Sequence, residues 1–216
     1  MPDLGIQTVL AGMGVDYRSP AGEKILRYVE LLAKWNRRVN LVSSTRTGVL
    51  TPLIQESIWA AGRYPAEFRV HLDIGSGAGF PAIPLAATHP DVEITMVERR
   101  ERKAAFLQTA VYDLELKNVR VANERLEDTL RRSQTPAAWD CISWKAVILS
   151  IRDLRSIFEI TGKDVRFWVF HGKELPVEDP VVFRESLELT RREDCPFHPG
   201  WYLSEFRRRT VSRETG

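Results

Sequence analysis

Apolar residues recur at helical spacing through the first third of the chain and in short strand-like runs after it. Ile25, Tyr28, Val29, Leu32, Trp35, Asn36 and Val39 trace one helical stripe, and Val49, Leu53, Ile54, Ser57, Ile58 and Ala61 trace a second. Gly62, Tyr64 and Pro65 then break the pattern. Beyond them, strands are expected at Arg69–Ile74, Val92–Val97, Asn118–Asn123, Trp139–Ser143 and Val165–Phe170. Helices are expected from Pro81, over Arg102–Leu116 with Phe106, Ala110 and Leu114 in its core stripe, and over Ser150–Ile160. Such alternation predicts a parallel sheet with helices on both faces. Phe183–Thr190 and Trp201–Arg208 are expected to close it as a terminal hairpin. The predicted class is therefore α/β, with an N-terminal helical cap over residues 1–65 and a sheet domain over residues 66–216.

The first strand runs directly into Asp73-Ile74-Gly75-Ser76-Gly77-Ala78-Gly79-Phe80-Pro81. Glycines in such a turn permit positive φ and close backbone approach, and proline is tolerated in the first turn of the helix that follows. A dinucleotide-binding loop requires G-x-G-x-x-G, and Phe80 stands where its third glycine belongs. That disfavours a nicotinamide-dependent oxidoreductase, and the Gly-Lys-Ser/Thr of a phosphate loop is absent as well. What remains, Asp-x-Gly-x-Gly-x-Gly, resembles the first motif of S-adenosylmethionine-dependent methyltransferases. Asp73 can accept hydrogen bonds from an amine-bearing ligand. Glu98 ends the second strand, where an acid takes ribose hydroxyls on sheets of this kind. Glu124-Arg125-Leu126-Glu127-Asp128 follows the third strand, placing an acid within reach of an adenine amine.

Further segments narrow the resemblance. Leu31-Leu32-Ala33-Lys34-Trp35-Asn36-Arg37-Arg38-Val39-Asn40-Leu41, the loop Asp73 to Pro84, Phe106-Leu107 and Leu116-Lys117-Asn118 together resemble the bacterial 16S ribosomal RNA guanine-N7 methyltransferases, once called glucose-inhibited division protein B. The likeness spans roughly residues 23–175. It implies a Rossmann-like methyltransferase sheet, S-adenosylmethionine as donor and a guanine of small-subunit rRNA as acceptor. The donor-binding positions so implied are Asp73, Gly75, Ser76, Gly77, Gly79, Phe80, Glu98, Leu126, Glu127 and Lys145.

The acceptor half departs from the family pattern. Leu53 and Glu56 stand where the family has histidine and aspartate. Trp144-Lys145-Ala146 replaces Ser-Arg-Ala, and His171-Gly172 replaces a lysine-glycine. Arginine to lysine loses a bidentate contact. Guanine N7 already carries a lone pair, so transfer needs alignment and exclusion of water rather than a general base. Lys145 or His171 is expected to meet guanine O6, and Trp144 to stack on an extruded base. The same departures keep open a methyltransferase with another acceptor, or a protein that binds donor and RNA without turnover.

Composition adds less. The 216 residues are 44% hydrophobic with a formal net charge of +2. No apolar stretch of about 18 residues predicts a membrane span, and Met1-Pro2-Asp3-Leu4 lacks a signal-peptide pattern. Two cysteines, Cys141 and Cys195, make neither a disulfide framework nor a metal site, which fits a reducing cytoplasm; the chain is expected to be a monomer with no membrane and no metal. Basic residues gather at Arg99, Arg100, Arg102 and Lys103, at Arg131 and Arg132, and at Arg207, Arg208, Arg209 and Arg213. Were these groups to converge beside the cofactor loop, they would neutralise phosphates of an RNA such as 16S rRNA or the small ribosomal subunit.

Overall fold

The computed structural model describes residues 4–133 and 139–209. The run Met1–Asp3 and Arg213, which the sequence reading used, lie outside them. In chain order the elements are α1 (Leu4–Gly12), α2 (Pro20–Asn36), α3 (Thr47–Ala61), β1 (Val70–Ile74), α4 (Ala82–Thr88), β2 (Glu93–Val97), α5 (Glu101–Asp113), β3 (Val119–Ala122), α6 (Leu126–Arg132), β4 (Cys141–Lys145), α7 (Ile151–Ile160), β5 (Arg166–His171), α8 (Pro180–Ser186), β6 (Leu187–Asp194) and β7 (Tyr202–Arg208).

Seven strands form one sheet in the order β3-β2-β1-β4-β5-β7-β6. The first five are parallel, whereas β7 runs antiparallel to both β5 and β6. Strand order reverses between β1 and β4, and the crevice above the carboxyl ends of those strands is where open α/β sheets bind ligands. The two faces have separate cores. Strand alternation sends Ile94, Met96, Cys141, Trp168 and Phe170 towards α1–α5, and Leu72, Ile74, Ile142, Trp144, Phe167 and Val169 towards α6–α8. The N-terminal helices share the first core: Ile6, Leu10, Ile25, Tyr28, Leu32 and Ile54 pack continuously with the sheet.

Local chemistry explains most element ends. Ser19 caps α2 by accepting from Gly22 N–H, with Pro20 at the first helical position. Ser150 and Asp153 cap α7 reciprocally. One expectation fails at the hairpin. The strand predicted from Phe183 begins only at Leu187, because Asp179 accepts from Val181 N–H and Val182 N–H and, followed by Pro180, starts a helix over Pro180–Ser186. The predicted pairing with Trp201–Arg208 survives for the remaining residues, Leu187–Asp194 against Tyr202–Arg208.

Candidate active site

A cleft of about 670 Å³ opens above the carboxyl ends of β1, β2, β3 and β4. Its walls are the loop Gly75–Ala78 with Phe80, the segment Val97–Arg100 with Lys103, residues 124–127 and the turn Lys145–Leu149; Leu41, Val42 and Leu53 close it from the cap side. Gly75 (φ +68°) has no room for a side chain, since a Cβ there would sit 2.4 Å from Val147 Cγ2. Gly79 (φ +92°) stands back from the cleft wall, and a Cβ on it would meet Ile83 Cδ1 at 2.5 Å. Its positive φ and its packing against Ile83 both favour glycine there.

Neighbouring elements brace this loop. Val97 C=O accepts from Gly75 N–H (2.8 Å) and Ser76 N–H (3.1 Å). Tyr28 of α2 donates to Ala78 C=O at 2.5 Å and meets Phe80 edge to face at 5.2 Å. Glu98, 6% exposed, accepts from Gly77 N–H through Oε2 (3.0 Å) and from Arg100 N–H through Oε1 (2.8 Å). A carboxylate oxygen has two lone pairs, so Glu98 retains acceptor capacity on its cleft side. Asn36 organises the cap's contribution: its Oδ1 accepts from Leu41 N–H and Val42 N–H, and its Nδ2 donates to Val42 C=O.

Asp73 lies just beneath the loop, 2% exposed and behind the residues that line the cleft. Its Oδ1 accepts from Ser143 Oγ–H at 2.6 Å, whereas its Oδ2 is buried with no partner among the described residues. Burial raises its pKa to about 6; the Ser143 and Ser76 hydroxyls and Lys145 pull it back, and Glu98 pushes it up. A raised carboxyl pKa means the folded chain binds the proton more tightly than the unfolded chain does. Stability therefore falls as pH rises from the ordinary carboxylate range through about 6, by on the order of 3 kcal/mol for this group. A cationic ligand on the bare Oδ2 would recover that loss. Among the described residues no group of acidic, histidine and cysteine side chains is arranged to hold a metal ion.

The three residues expected on the acceptor side part company. Lys145 lines the cleft, but its ammonium is committed to Glu56 of α3 at 2.5 Å. Glu56 is 1% exposed, and its other oxygen meets His198 Nδ1 at 3.3 Å. His198 stacks on Trp201 with centroids 4.8 Å apart, and the Lys145 ammonium lies 5.5 Å from the same ring. Trp144 points to the opposite face, fully buried against Phe167 and Phe183, so it cannot stack on an incoming base from there. His171 also falls on that face and does not line the cleft. Its Nδ1 lies 2.7 Å from Gly172 C=O and its Nε2 2.9 Å from Ser204 Oγ, and burial lowers its pKa. Both ring nitrogens are engaged inside the protein, so neither is free for a base edge. Glu56, marked in the sequence only as a departure from the family pattern, is joined here by His198 and Trp201, which sequence reading missed.

The basic groups also separate. Arg99, Arg100 and Lys103 line the cleft mouth and are joined there by Arg125; none of the four has a carboxylate partner among the described residues. Arg102 is exposed beside them. Arg131 and Arg132 pair with Asp128 and Glu124. Arg207 and Arg208 lie at the far end of the sheet, where Arg207 opposes the first residue of β5. Their side chains meet Glu188 and the Phe158 and Thr161 carbonyls, while Arg209 donates to Arg184 C=O. The described members of the third group, Arg207, Arg208 and Arg209, therefore do not reach the cleft.

Known proteins match the chain along most of this architecture. The family profile described as GidB, rRNA small subunit methyltransferase G, matches residues 21–175. Proteins named ribosomal RNA small subunit methyltransferase G are similar to it. That of Neisseria meningitidis serogroup A is 35% identical over 148 residues, covering 65% of this chain and 71% of the relative. That of Helicobacter acinonychis is 31% identical over 159 residues, covering 74% and 85%. Among solved structures, mitomycin 7-O-methyltransferase MmcR superposes with a TM-score of 0.60 at 16% identity, over 97% of this chain and 74% of that one. The fibrillarin/Nop5p complex gives 0.55 at 14%, over 73% and 83%. The sheet order, the glycine loop and the matched span agree, and the chain belongs to the GidB family of rRNA small subunit methyltransferases G.

Proposed function

We propose that this chain transfers a methyl group to N7 of a guanine in small-subunit ribosomal RNA, naked or within the assembled subunit. The RNA part of the reading is carried by the basic rim of Arg99, Arg100, Lys103 and Arg125 on the mouth of the ligand cleft, which has no carboxylate partner among the described residues. Each such side chain adds a phosphate contact whose strength falls with salt. Membership of the family makes S-adenosylmethionine the methyl donor. When bound, it supplies a methyl carbon activated by the sulfonium charge.

The chain's own residues would bind and align. Asp73 Oδ2, buried unpartnered beneath the loop, takes the donor's ammonium; of the lining residues, Glu98 uses its remaining lone pairs for the ribose hydroxyls, and Leu126 with the first turn of α6 at Glu127 receives the adenine. Gly75, Ser76 and Gly77 let the backbone approach, with Phe80 closing the wall. Guanine N7 needs no proton removed before attack, and this suits a cleft whose Lys145 is held by Glu56 and whose Glu98 is bonded to the loop. The reading puts the enzyme in the cytoplasm, where the free thiols of Cys141 and Cys195 stay reduced.

Glu98→Ala is expected to weaken S-adenosylmethionine binding about tenfold or more by isothermal titration, through lost ribose contacts and a loosened Gly77. The activity itself is tested with labelled donor and small ribosomal subunits from cells lacking this modification. Label released from a guanine by N7-specific strand cleavage supports the proposal. Label on another base, or none in the presence of donor binding, contradicts it.

A further inference from the structure

Four buried polar side chains run in a line beneath the glycine loop, and the reaction as described uses only the last of them. Tyr64 OH lies 3.0 Å from His71 Nδ1, His71 Nε2 lies 2.8 Å from Ser143 Oγ, and Ser143 Oγ lies 2.6 Å from Asp73 Oδ1. All four residues are at most 7% exposed. Strand register sets the geometry: His71 and Asp73 are two apart on β1, facing Cys141 and Ser143 on β4, so all point to one side of the sheet.

The direction of this line is forced. Ser143 has a single hydroxyl proton, and an ionised Asp73 can only accept. Ser143 Oγ–H therefore donates to Asp73, and its lone pair accepts from His71 Nε2–H. His71 Nδ1 then carries no proton and accepts from Tyr64 O–H. Burial lowers the His71 pKa to about 3, so the ring stays neutral and the single-tautomer arrangement holds at ordinary pH. Protonating Asp73 would reverse the argument: Asp73 could donate to Ser143, Ser143 to His71 Nε2, and His71 Nδ1–H to Tyr64.

We propose that Ser143, His71 and Tyr64 are positioning residues for the methyl donor, an oriented hydrogen-bond chain that holds Asp73 ionised through Oδ1 and leaves Oδ2 bare for the donor's ammonium. The inference rests on the reading that Asp73 meets that ammonium. The other groups facing Asp73 are Ser76 on the loop, Glu98 at the end of β2, and Lys145 and Cys141 on β4. A change at Ser143 leaves all of them in place.

The experiment is a titration of S-adenosylmethionine into wild type, Ser143→Ala, Ser143→Thr and Asp73→Asn between about pH 5 and pH 7.5. Wild-type affinity is expected to fall as pH drops through about 6, the range in which Asp73 takes its proton. In Ser143→Ala that midpoint should rise by about one pH unit, the equivalent of one lost hydrogen bond to a charged group, and Ser143→Thr should restore it. An unchanged affinity in Asp73→Asn overturns the donor-contact reading and this proposal with it. A loss in Asp73→Asn together with an unmoved midpoint in Ser143→Ala overturns the positioning chain alone. Independently of any variant's folding, nitrogen chemical shifts of the wild-type His71 ring at about pH 7.5 should report the Nε2–H tautomer; the Nδ1–H tautomer overturns the proposal.

Discussion

Lys145→Ala is expected to destabilise the fold by about 3–5 kcal/mol, because it strands the Glu56 carboxylate in the interior. Glu56 is 1% exposed and Lys145 is its closest cation at 2.5 Å, with His198 a weaker second partner at 3.3 Å. Surface pairs contribute at most about 1 kcal/mol, so burial decides the size of the effect. The volume-matched double variant Glu56→Gln, Lys145→Met should recover most of the loss, since it removes both charges together. Urea unfolding of the two variants checks this. A cost below about 1 kcal/mol for Lys145→Ala would show the pair to be solvated. The structure thus changes what this lysine means: its loss depresses methyl transfer first through the α3–β4 wall and only second through any contact with the accepted base.

Trp144→Ala should cost a similar amount, about 3–5 kcal/mol, for a different reason. The ring is fully buried between Phe167 and Phe183 beneath the sheet, and its removal leaves a cavity that the surrounding strands cannot close. Trp144→Phe should cost less than the lost volume alone implies. The buried Nε1–H has no acceptor among the described residues, and phenylalanine removes that unsatisfied donor. For both variants the folded fraction should bind S-adenosylmethionine as wild type does. A stacking residue would give the opposite pattern, with stability intact and transfer lost.

The loop and acid proposed to hold the donor were legible as a cluster because their geometry is local. Asp73 and Gly75–Phe80 are contiguous, and Glu98 follows from one strand ending beside another. The acceptor half was not, because its partners meet across long stretches of chain. Glu56 sits on the cap helix, Lys145 at the end of β4, and His198 with Trp201 in the irregular connection between β6 and β7, which carries no periodic signal. Strand alternation did hold usable information. Lys145 and Trp144 are adjacent on β4 and must face opposite ways, which already forbids both from meeting the same base. His71 and Ser143, polar residues on apolar strands and in phase with Asp73, gave a similar signal for the buried chain beneath the loop. At α8, the Asp179-Pro180 start outweighed the apolar run that suggested a strand from Phe183.

The donor site underlies every other assignment, and a crystal structure with S-adenosylhomocysteine tests it most directly. The ammonium should lie within hydrogen-bond distance of Asp73 Oδ2 and the ribose hydroxyls on Glu98, with the adenine against Leu126. The ligand bound elsewhere, or in the cleft with Asp73 Oδ2 still unpartnered, would contradict the assignment.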